Sequence, residues 1–162
     1  MYIAFHCDDK MGDIAFVSAP SYKGPFTKVG ERIQAETKRP AGFGVSPHPE
    51  DPFFWIASNG GVVSYHIVLH NTPRGIHFFS RDGVKWALQQ DVDAKGTPQP
   101  PFFFDATVHY VDGTSATVGR RERPWMLFDS NGSPRALVTS MQGGNRKEDA
   151  QTWTMVQAVT AN

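Results

Sequence analysis

Turn-forming residues punctuate this 162-residue chain so often that helices of ordinary length have no room. Fifteen glycines and twelve prolines are spread along it, and each costs helix stability at an interior position. Between them lie short runs in which apolar and polar residues alternate, the period of a half-buried strand. Val62 to His70 is the clearest: Val63, Tyr65, Ile67 and Leu69 face one way, Ser64, His66 and His70 the other. The chain is predicted to be all-β.

The strands fall into groups. Tyr2–Cys7, Ile14–Ser18 and Phe26–Val29 form the first, and a Gly- and Pro-bearing connection covers residues 30–49. Phe53–Ala57, Val62–His70, Ile76–Ser80 and Val84–Gln89 form the second, with a hairpin turn at Ser58-Asn59-Gly60-Gly61. Phe102–Val111 with Thr114–Gly119, then Pro124–Phe128 with Arg135–Ser140, and finally Thr152–Val159 make up the third region, and Gly143–Lys147 is a polar excursion. Repeated groups of about 40 to 60 residues suggest propeller blades. A β-sandwich also produces short strands and Gly/Pro turns. Residues 1–162 are taken as a single domain.

Composition narrows the function. Sixteen basic residues balance sixteen acidic ones. That argues against a nucleic-acid partner, which needs phosphate neutralisation, and against an electrostatically held membrane protein. No stretch approaches the roughly 18 apolar residues of a membrane span. Cys7 is the sole cysteine, so an internal disulfide is excluded, and a small buried hydrophobe is the expected role. Met1–His6 lacks the basic start and cleavage site of a signal peptide.

Two strand starts carry the functional argument. Glu50-Asp51-Pro52-Phe53-Phe54-Trp55 and Arg121-Glu122-Arg123-Pro124-Trp125 each set an acid beside a proline at the mouth of an aromatic strand. Two acids converging from successive sheets would suit glycoside hydrolysis. Asp51 capping a turn and Glu122 in a surface ion pair are the plainer alternatives. His66, His70 and His77 sit on neighbouring strands, without the tight spacing of a metal site. Ser80-Arg81-Asp82-Gly83-Val84-Lys85-Trp86 reads as a structural turn whose Asp accepts backbone hydrogen bonds, with Trp86 packed between sheets.

These segments resemble the five-bladed β-propeller glycoside hydrolases, the superfamily of family 43 arabinanases and xylosidases and of invertases and levansucrases. Ile14–Ser18 followed by Gly24-Pro25-Phe26-Thr27 is similar to the family's strand and "GPF/W-T" segment. Glu50-Asp51-Pro52 resembles its acidic "DP" strand start, His77 to Trp86 its "H-x-x-S-x-D-G-x-x-W" strand and turn, and Glu122-Arg123-Pro124 its "E-G-P" or "E-C-P". The resemblance implies a partial propeller of about three four-stranded blades. It implies Glu122 as general acid and Asp51 as the stabiliser of the transition state or modulator of its partner's pKa. Trp55, His77, Arg121 and Arg123 would shape the sugar pocket. No cofactor and no metal are implied, though relatives sometimes hold a cation on the axis, with His77 as the counterpart here. Full-length relatives are extracellular. The third carboxylate of the family has no counterpart in the first group, and the chain is expected to be the C-terminal portion of a longer protein or a truncated gene product. A degenerate propeller that binds carbohydrate without hydrolysing it, or a sandwich-type lectin module, is the alternative. Sugar, stereochemical outcome and oligomeric state are not specified by these residues.

Overall fold

The computed structural model describes residues 2–8, 13–33, 50–71, 74–100, 102–144 and 151–159. The side chain of Cys7, most of the 30–49 connection and most of the polar excursion after Gly143 lie outside the described residues. Every regular element among those described is a strand, so the all-β expectation holds.

Among the described residues, thirteen strands build several small antiparallel sheets. β1 (Tyr2–Asp8), β2 (Asp13–Ala19) and β3 (Thr27–Ile33) form the first, in chain order. β4 (Glu50–Asn59), β5 (Val62–Asn71), β6 (Arg74–Ser80) and the two-residue β7 (Ala87–Leu88) form the second, and β8 (Phe102–Phe104) also pairs with β6. β9 (Thr107–His109) and β10 (Ser115–Thr117) make a short hairpin. β11 (Arg120–Phe128), β12 (Pro134–Gln142) and β13 (Thr152–Ala158) form the last sheet.

Side-chain alternation makes the second sheet the centre of the molecule. Successive residues of a strand point to opposite faces, and here both faces are apolar. Ile67 and Leu69 of β5 with Ile76 and Phe78 of β6 pack on Ile14, Phe16 and Ile33 of the first sheet. Val68 and Phe104 turn the other way and pack on Met126 and Leu137 of the last sheet. The second sheet is therefore sandwiched between its neighbours, and β11 lies against β4 and β5.

Three strands are clearly shorter than the sequence suggests: Thr114–Gly119 becomes Ser115–Thr117, and two others shorten for a local reason. Val84–Gln89 shrinks to Ala87–Leu88 because Asp82 captures the amides ahead of it. Its carboxylate accepts hydrogen bonds from the backbone N–H groups of Lys85 and Val84, both at 2.8 Å, and from the Ser80 hydroxyl at 3.0 Å. Those donors hold its pKa below the usual carboxylate value. The turn delivers Trp86 onto Phe16, with ring centroids 4.7 Å apart and planes 4° from parallel. This is the structural role expected for that motif. Phe102–Val111 breaks into β8 and β9 at Asp105-Ala106. There the Asp105 side chain accepts from Arg74 Nε at 3.2 Å and its carbonyl from Arg121 Nη1 at 3.0 Å.

Gly75 carries the closest packing between β6 and β8. A Cβ there would fall 2.1 Å from the Phe104 ring, although Gly75 has no left-handed backbone to explain it. Gly75→Ala is expected to destabilise the fold by about 1–3 kcal/mol through overpacking, read as a lower urea midpoint with an unchanged slope.

Candidate active site

The site begins with two matched irregularities. Asp51 (φ 51°) and Arg123 (φ 54°) are the two non-glycine residues with left-handed backbone among those described, and each precedes a proline. Each opens a β-bulge. Between the pairs Glu50–His70 and Phe53–Val68, Asp51 and Pro52 oppose Leu69 alone. Between Glu122–Ser140 and Trp125–Val138, Arg123 and Pro124 oppose Thr139 alone. The proline supplies no N–H for the ladder, so the extra residue is tolerated there. In register Glu50 is thus the counterpart of Glu122, and Asp51 that of Arg123. The acid-before-proline likeness of Asp51 and Glu122 in the sequence is offset by one residue.

The bulges bring four charged side chains to one buried imidazole. His70, 2% exposed, has Nδ1 3.7 Å from Asp51 Oδ2 and Nε2 3.8 Å from Glu122 Oε1. Arg123 spans the same two acids, with Nε 3.9 Å from Asp51 Oδ2 and Nη1 3.8 Å from Glu122 Oε2. Arg120 Nε approaches Glu122 Oε1 at 3.5 Å. The aromatic residues after the prolines, Phe53 and Trp125, meet with centroids 4.7 Å apart and fasten the strand starts together.

An open polar pocket of about 390 Å³ lies over Glu122, bordered by Arg120, Arg123, Ser140, Gln142 and Thr154. Its volume falls among those of small-molecule sites. Glu50, Asp51 and His70 offer ligand atoms within 4.8 Å of one another, the group among the described residues best placed to hold a cation. Arg123 already supplies positive charge beside Asp51.

The structure brings Asp51, Glu122 and Arg123 together, and it places Arg121, Trp55 and His77 elsewhere. Alternation sends Arg121 to the face opposite Glu122, where it is 2% exposed. It donates to Thr139 Oγ1 at 3.2 Å, the Asp105 carbonyl at 3.0 Å and Gln157 Oε1 at 2.7 Å, and its guanidinium lies 4.9 Å from the Phe104 ring. Burial lowers its pKa, and the charge of Asp105 opposes that shift.

Trp55 packs between the second and last sheets. His66 and His77 lie nearly parallel to its indole, with centroids at 4.9 and 5.3 Å. The two imidazoles belong to a hydrogen-bonded chain. The Ser64 hydroxyl meets His66 Nε2 at 2.8 Å, His66 Nδ1 meets His77 Nε2 at 3.0 Å, and His77 Nδ1 meets Gln89 Oε1. With the Gln89 oxygen accepting, each link carries one proton and both rings are neutral. His77 also lines a separate pocket with Gln89, Asp91 and Phe103.

Sequence reasoning passed over Glu50 and Arg120 as site residues and offered His70 only as one of three packed or funnel-lining histidines. A signal for Glu50 and His70 was present: counting back from the Gly60-Gly61 turn sets residues 50 and 51 beside His70. Comparison with protein-family models, with curated proteins and with solved structures finds no match to this chain.

The histidine chain has a pH signature. Burial, and then the charge of His66, lower the pKa of His77 from 6.5 to about 4, while the hydrogen bond to Gln89 acts the other way. Burial also lowers that of His66. The unfolded chain binds more protons than the folded one between these values, so stability is full above pH 6.5 and declines as pH falls toward 4. The His77 contribution is about 3 kcal/mol. Urea midpoints measured across this window should fall with pH in the parent and flatten in His77→Gln.

Proposed function

We propose that the chain is a glycoside hydrolase-like domain of the five-bladed-propeller type, acting on an oligo- or polysaccharide. The observation that carries the proposal is the meeting of Asp51 and Glu122, from adjoining sheets, on the two nitrogens of His70. The face-to-face stacking of three sheets, with β11 against β4, supports the blade arrangement. Glu122 borders the pocket and is the group placed to protonate a leaving glycosidic oxygen as its bond to the anomeric carbon breaks. Asp51 is the group placed to offset the positive charge that develops on the sugar ring. Arg123, tied to both acids, fixes their relative position.

The ion pairs from Arg120 and Arg123 to Glu122 favour a second reading. In it the domain binds carbohydrate without cleaving it, and the carboxylates accept hydrogen bonds from sugar hydroxyls.

Assays of aryl glycosides and unactivated oligosaccharides, with parallel calorimetric titrations, separate the two. Hydrolysis is expected from the parent. Glu122→Gln should lose about 10²- to 10⁴-fold on substrates with poor leaving groups, the scale of general acid catalysis, while retaining binding heat. Full activity of Glu122→Gln on those substrates removes the acid assignment. Binding heat without hydrolysis supports the second reading, and neither signal from any glycan overturns both.

A further inference from the structure

Among the described residues, strand β13 forms the outer edge of the last sheet, paired with β12 on one side. Exposed edges in natural proteins are guarded by charge, proline, irregularity or shortness, because their free N–H and C=O groups template further pairing. The other described edge strands of seven residues or more follow that rule in sequence. β1 ends on His6-Cys7-Asp8; β3 carries Lys28, Glu31 and Arg32; β4 and β11 carry ionisable residues, a proline and a bulge. β13 reads Thr-Trp-Thr-Met-Val-Gln-Ala, with no ionisable side chain and no proline, and its ladder to β12 runs without a register shift. Trp153 is 44% exposed and Val156 62%.

We infer that β13 is a homodimerisation edge, pairing antiparallel with β13 of a second copy of this chain about a two-fold axis at Met155. Three features select a second copy. An antiparallel strand pair is isologous, so one edge satisfies both partners. Centring on Met155 sets Thr154 opposite Val156, Trp153 opposite Gln157 and Thr152 opposite Ala158, and no charge meets a like charge anywhere in the ladder. Self-pairing of β3 about Gly30 would instead set Lys28 opposite Arg32, two like charges.

The pairing also preserves the faces of the sheet. Trp153, Met155 and Gln157 stay on the side of Met141, while Val156 extends the row of Trp125 and Val138 and Thr154 that of Glu122 and Ser140. The two three-stranded sheets become one six-stranded sheet, joined along about 20 Å by roughly six to eight backbone hydrogen bonds. The edge also borders the pocket over Glu122, whose wall includes Thr152, Trp153 and Thr154 of β13.

Light scattering on the eluting peak at high micromolar concentration should give twice the 18.0 kDa of one chain. Val156→Lys, a change at an exposed position, should return the mass to that of one chain with an unchanged far-ultraviolet spectrum. Register is read by cross-linking in a Cys7→Ser background: Met155→Cys should form a disulfide-linked dimer under mild oxidation, and Thr152→Cys should not. A parent that stays at 18.0 kDa overturns the inference. So does a dimer that survives Val156→Lys, or one that cross-links through position 152 as readily as through 155.

Discussion

A left-handed residue ahead of a proline bends β4 and β11 at the same point, and the site is built on that bend. A non-glycine residue held there costs on the order of 1–3 kcal/mol, and a following proline disfavours helical backbone further. The surroundings hold both residues in place. Phe53 and Trp125 pack directly after the prolines, and Leu69 and Thr139, the residues opposite each bulge, are fully buried. The extra residue turns the strand start so that neighbouring side chains share one side. That is how Glu50 and Asp51, adjacent in sequence, both come within reach of His70. Regular pleating would have sent them to opposite faces.

The second constraint is the burial of the central sheet on both faces. A sheet with one solvated face shows its register as apolar alternation. This one needs apolar residues at successive positions, as in the fully buried run Ile67-Val68-Leu69. A slip of one residue there would cost little in hydrophobic burial, since both faces accept aliphatic groups. The polar residues fix the register instead. His66 must meet His77 and lie over Trp55, and His70 must reach both acids. Polar residues in the otherwise apolar strands thus set which face each apolar residue joins.

Much of this was legible in the sequence. The Asp82 turn and the packing of Trp86 follow from local rules, because the groups that satisfy them lie within a few residues; the alternation of Val62–His70 marks a strand but not its burial on both faces. The acids were legible for the same reason: a carboxylate beside a proline marks a strand start. The one-residue offset between the two starts was not, since a left-handed Asp51 or Arg123 is imposed by packing from other strands. Nor was the break at Asp105, whose partners Arg74 and Arg121 are 31 and 16 residues away in the chain. Arg121 was grouped with its neighbours Glu122 and Arg123 because sequence adjacency hides the alternation that sends it to the other face.

That alternation decides the charge balance of the cleft. Arg121 satisfies its guanidinium with a threonine hydroxyl, a backbone carbonyl and a glutamine oxygen, all neutral, so it takes no carboxylate away from the site. Around His70 there remain three acids, Glu50, Asp51 and Glu122, against two cations, Arg120 and Arg123. The two guanidinium groups offset two of the three formal negative charges, so one carboxylate is in surplus there; had Arg121 faced this side as well, no surplus would remain.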